Sequence, residues 1–166
     1  DSPKRFGEDN WRYVLDDYAK DPPKPVLDGE PSYENIPQGL HDGSQPYWTA
    51  ADARRYAYWS VFAGACGHTY GDNAVMQFHA PGSGPGDYSP RNYWFDAIND
   101  PGAGQMRHLA ALMRSRPYFD RVHDPEAVVA GGAGREHVTA TRGRDYTMVY
   151  SYTGKPFELR MGAILG

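Results

Sequence analysis

The run Gly131-Gly132-Ala133-Gly134 separates two kinds of sequence that no single regular architecture accommodates. Before it, apolar residues recur at helical spacing. After it, they fall into short strand-like runs. Residues 10–20 place Trp11, Val14, Leu15 and Tyr18 on one face, and Asp21-Pro22-Pro23 stops the helix. Thr49-Ala50-Ala51-Asp52 has the form of a capping box with Asp in place of Glu. The helix it opens runs to about residue 64, and its small-sided stripe of Ala53, Tyr56, Ala57, Ser60 and Ala63 suits packing on a sheet. A third helix fits 101–114, with Pro101 in its first turn and Met106, Leu109, Ala110 and Met113 on one face. Between these helices, 24–30 is a short run suited to a buried strand, and 68–78 reads as a strand end entering a loop. Helix, strand, helix, strand is the order of a parallel α/β array. Beyond the glycines, 137–141, 146–152 and 157–161 predict a β-meander. The expected organisation is an α/β unit over 1–130 and an incomplete β unit over 131–166.

Composition narrows the partners. A net charge of −4, with no run of five like charges, argues against the basic footprint of a nucleic-acid binder. Mean hydropathy is −0.72 and no apolar stretch approaches the roughly 18 residues of a membrane span. The 13 Tyr and 4 Trp lie among 19 Gly and 14 Pro, so aromatic rings accompany many turns. That pattern suits stacking on sugar rings, and it equally suits core filling. The single cysteine, Cys66, excludes an internal disulfide, and its small-residue surroundings predict a buried, inert thiol.

Residues 28–34 (Asp28-Gly29-Glu30-Pro31-Ser32-Tyr33-Glu34) concentrate three carboxylates at a strand end. If the strand continues to Glu30, Asp28 and Glu30 point to the same side. The pattern leaves two readings open: catalytic carboxylates at the C-terminal edge of a parallel sheet, or carboxylates that cap a turn. A second polar group, His68, Tyr70, Asp72 and Asn73, follows the next strand and suits contacts to sugar hydroxyls, or an ordinary loop in which His68 is satisfied internally. The six histidines show no close i, i+4 pair with a third ligand, so no catalytic metal is expected, and with no P-loop or dinucleotide fingerprint no cofactor is expected.

The segments KPVLDGEPSYENIP, DARRYAYWSVFAGACGHTYGDNAVMQF and PGAGQMRHLAALMRSRPYFDRV resemble the apiosidase-like glycoside hydrolases. The stretch GREHVTATRGRDYTMVYSYTGKPFELRMG is similar to the collagen-binding type of β-sandwich that follows their barrel. The resemblance implies the C-terminal portion of a (β/α)8 TIM barrel, near strands 7 and 8, followed by the first strands of a β-sandwich. It implies a retaining glycosidase acting on an oligosaccharide or polysaccharide, such as an apiose-bearing pectic side chain, outside the cytoplasm or in the periplasm. Glu30 matches the nucleophile, and Tyr33, Glu34, His68, Tyr70 and Asp72 are expected to contact substrate. The acid/base partner belongs to strand 4, which this chain does not carry. A fragment of this kind is expected to be inactive alone and to need the missing segments of its parent protein. The competing reading is a non-catalytic carbohydrate- or protein-binding module on the same scaffold.

Overall fold

The computed structural model describes residues 10–161. In chain order it contains helix α1 (Asn10–Tyr18), strand β1 (Leu27–Asp28), α2 (Ala50–Phe62), β2 (Gly67–His68), α3 (Asn73–Met76), α4 (Trp94–Ala97) and α5 (Pro101–Arg114). Strands β3 (Val122–His123), β4 (Val128–Ala130), β5 (Val138–Arg142), β6 (Thr147–Ser151) and β7 (Glu158–Leu159) complete it. The first half is mixed α/β, with β1 and β2 paired in parallel. The second half is antiparallel, in sheets of order β3-β5-β6 and β4-β7.

Three details differ from the sequence reading. The antiparallel part begins at Val122, ahead of the glycine run, because Val122 pairs with Arg142. The last strand leaves the meander and pairs with β4, so β6 and β7 are not neighbours. Pro156, which has no N–H to give a ladder, stands just before that departure. Cys66 is exposed rather than buried: Ala65 turns into the core and the next side chain turns outward.

Helix α2 is the centre of the fold. Its expected capping box forms, with Thr49 Oγ1 accepting from the Asp52 N–H and Asp52 Oδ2 accepting from the Thr49 N–H. Sheet β1–β2 and α1 cover one side of it, and α5 packs Leu109 and Met113 against Ala57, Val61 and Phe62. The antiparallel sheet covers the rest. Tyr150 stacks on Tyr58 at 4.6 Å, and the Trp59 indole N–H donates to the His137 carbonyl. Burial on all sides suits a helix carrying Tyr56, Trp59 and Phe62 near zero exposure, each large apolar side chain contributing roughly 1.5–3 kcal/mol.

Two arginines tie the halves together. Arg55, wholly buried, pairs with Asp52 at 2.9 Å and lies over the rings of Tyr56, Trp59 and Tyr152. Arg121 donates to the Val61 and Ala65 carbonyls at the end of α2 and to Thr141 Oγ1 in β5. Val61 lies in the last turn of α2 and Ala65 just beyond its cap residue Ala63. Leu27, by contrast, is 59% exposed, so the face of the parallel sheet turned away from the helices is uncovered among the described residues.

Candidate active site

Because β1 and β2 are parallel, the segments leaving them, 29–34 and 69–73, emerge at one edge. In parallel sheets that C-terminal edge is where reacting side chains collect. Asp28 ends β1 and Glu30 and Glu34 follow in the first segment, and the fold treats the three carboxylates differently.

Asp28 faces the helix layer. Its Oδ2 accepts from Asn10 Nδ2 at 3.1 Å, from the Ser60 hydroxyl and from His68 Nδ1 at 3.3 Å. Burial opposes its ionisation, but the bonds from His68, Ser60 and Asn10 outweigh burial and hold its carboxyl below the usual carboxylate range. His68, opposite Asp28 in the register, is turned to the same side with its side chain 4% exposed.

Glu34 is buried as well. Its Oε2 accepts from the Tyr70 hydroxyl at 2.7 Å and from the Gly102 N–H, in the first turn of α5, at 3.0 Å. Its backbone bonds to the other segment, donating to the Gly71 carbonyl and accepting from the Asn73 N–H. Burial pushes the Glu34 carboxyl upward, and the Asp100 charge adds to that against the bonds from Tyr70 and Gly102. Burial and the bond to Glu34 raise the Tyr70 phenol strongly. The approach of α5 is so close that a Cβ on Gly102 would lie 2.1 Å from Glu34 Oε2. Likewise, a Cβ on Gly71 would meet the Tyr33 ring at 2.5 Å, so that ring lies directly over the second segment.

Asp72 caps α3, its Oδ1 accepting from the Ala74 and Val75 N–H groups. Asn35, with a left-handed φ of 62°, puts its amide between two acids, donating to Asp72 Oδ2 at 2.9 Å and to Asp100 Oδ2 at 2.8 Å. Burial, with the Asp100 charge, lifts the Asp72 carboxyl to about 6.

Glu30 is the exposed member of the set, standing on the turn between Asp28 and Glu34, whose next residues Pro31 and Ser32 are buried. Of the residues expected to contact substrate, Glu34, Tyr70 and Asp72 are brought together around α5 and Asn35, Tyr33 covers Gly71, and His68 belongs to the Asp28 group. Asn35, Asp100 and Gly102 join the site without having been singled out in the sequence. The Asp100-Pro101 helix start was the one visible signal for them. No group of three or more His, Cys, Asp or Glu side chains suited to a metal ion occurs among the described residues.

Residues 2–120 match the family described as "Apiosidase-like, catalytic domain", and 122–166 match "Putative collagen-binding domain of a collagenase". A solved chain described as a glycoside hydrolase is 53% identical with a TM-score of 0.88, over 91% of this chain and 34% of its own. A glycoside hydrolase family 5 structure from Bacteroides vulgatus ATCC 8482 is 48% identical with a TM-score of 0.88, over 91% of this chain and 33% of its own. The chain therefore spans about a third of the length of these solved structures. No curated protein matches it. The family match over most of its length and the likeness to solved glycoside hydrolases together show that the chain belongs to the apiosidase-like family of glycoside hydrolase catalytic domains.

Proposed function

We propose that this chain is the C-terminal part of a retaining (β/α)8-barrel glycosidase, in which β1 and β2 are the last two barrel strands and Glu30 is the nucleophile. The observation that carries this reading is the contrast within 28–34. The Asp28 side chain is only 11% exposed and Glu34 is buried, whereas Glu30, at the C-terminal edge of the parallel pair, is exposed. The uncovered face at Leu27 suits a barrel whose remaining strands lie elsewhere in the protein. Strands β3 to β7 then open the sandwich, fixed to α2 through Arg55 and Arg121.

In a retaining mechanism Glu30 attacks the anomeric carbon while a partner carboxylic acid, roughly 5–5.5 Å away, protonates the leaving oxygen. Water then releases the sugar from Glu30 with the partner acting as base. On this reading the partner is supplied by another barrel strand, and the 166 residues by themselves are expected to be inactive. Tyr33 and Tyr70 offer ring faces beside the turn, whereas Glu34, Asp72 and His68 support it from below. The family name points to apiose-bearing pectic side chains as the substrate class. Such polymers are met outside the cytoplasm, which makes the protein secreted or periplasmic.

In the full-length protein, Glu30→Gln keeps the size of the side chain and removes the nucleophile. Turnover of an apiose-containing pectic oligosaccharide is expected to vanish while calorimetric binding persists. Retained turnover refutes the assignment. Binding without turnover in the unaltered protein favours the non-catalytic module.

A further inference from the structure

We infer that Glu34 is a positioning residue for Glu30: its buried carboxylate, held by the Tyr70 hydroxyl and the Gly102 amide, fixes the turn on which Glu30 stands. The inference rests on the reading of Glu30 as nucleophile.

Burying a carboxylate is costly, and Glu34 is 4% exposed. Its polar contacts run to the chain from β2 into α5: Tyr70 and Gly102 to the side chain, Gly71 and Asn73 to the backbone. Substrate binding explains none of these bonds. Fixing the turn explains them all. Residues 29–33 are tied at Asp28 to Asn10, Ser60 and His68, and at Glu34 to the next loop and the start of α5. Buried Pro31 and Ser32 leave little slack between the ties. Gly102 belongs to the same device, since any larger residue would occupy the position of the Glu34 carboxylate. A nucleophile on a turn tied at one end only samples more positions, and misplacement by about 1 Å can cost on the order of 100-fold in rate.

The test uses full-length protein and an apiose-containing pectic oligosaccharide, with kcat and KM measured separately and folding followed by circular dichroism. Glu34→Ala is expected to lower kcat about 10- to 100-fold with little change in KM. Glu34→Gln should recover most of the loss, because one amide oxygen accepts both bonds that Oε2 now accepts. Tyr70→Phe removes a single hydroxyl and should lower kcat by less than Glu34→Ala; the double variant should be no slower than Glu34→Ala alone. If Glu34→Ala fails to fold, Tyr70→Phe carries the test, and an unchanged kcat there overturns the inference. Unchanged kcat in Glu34→Ala, an effect confined to KM, or a folded Glu34→Gln as slow as Glu34→Ala also overturns it. An inactive Glu30→Gln beside a fully active Glu34→Ala ends this inference alone. Equal turnover in Glu30→Gln and the unaltered protein ends the nucleophile reading, and this inference with it.

Discussion

Helix α5 contains two glycines that intrinsic propensity treats alike and the structure does not. Replacing glycine by alanine in an exposed helix interior gains up to about 1 kcal/mol. At Gly104 a Cβ meets nothing within 4 Å, so Gly104→Ala is expected to stabilise the protein by about that amount. At Gly102 the same atom would lie 2.1 Å from Glu34 Oε2 and 2.8 Å from Tyr70 Cε2. The carboxylate has no free direction in which to retreat, because moving it breaks the bonds from Tyr70 and from the Gly102 amide. Hydrogen bonds to charged groups contribute about 1.5–3 kcal/mol each, and overpacking costs about 1–3 kcal/mol. With partial relaxation and the propensity gain set against these, Gly102→Ala should lose about 2–4 kcal/mol. Urea unfolding of the two full-length variants, compared at equal slope, reads the difference. A Gly102→Ala midpoint at or above that of Gly104→Ala would refute the close approach of α5 to Glu34.

Arg55→Met leaves the buried Asp52 only the half-exposed Arg135, 4.0 Å away, as a cation and should cost about 3 kcal/mol in a thermal melt, an unchanged transition counting against the buried pair. Thr49→Ala removes the cap of α2 and should cost about 1 kcal/mol. Asp28 and Asp72 should give pH dependences of opposite sign. The lowered Asp28 contributes stability above the usual carboxylate range that is lost as pH falls below it, and Asp28→Asn should remove that acid loss. The raised Asp72 holds its proton longer in the folded state, so its contribution declines as pH rises from about 3.8 to about 6, and Asp72→Asn should flatten that interval. The 166-residue chain by itself should self-associate through the exposed Leu27 face and the outer edge of β2; a monodisperse monomer in sedimentation would argue otherwise.

The helices were legible because each carries its own periodicity and boundary signals. Thr49 and Asp52 announce α2, and Pro101 with the Met106, Leu109 and Met113 face announces α5. Strands of two residues carry too little pattern to be bounded, so 24–30 reads as one run where the structure keeps only Leu27–Asp28. The pairing of β7 with β4 was not legible either, because strand partners depend on contacts distant in sequence and the spacing of 146–161 suits a meander equally well.

In 28–34 the sequence showed three carboxylates but not which would be buried, because that depends on partners supplied from elsewhere. Asp28 is claimed by Asn10 and Ser60, Glu34 by Tyr70 and Gly102, and each partner is remote in sequence. Tyr70, just beyond the neighbouring strand, and His68, at its end, are committed to Glu34 and Asp28. The partner acid of a retaining pair lies roughly 5–5.5 Å away. On the reading of Glu30 as nucleophile, that partner comes from outside 28–34, whereas the turn that carries Glu30 is fixed within this chain by Asp28 and Glu34.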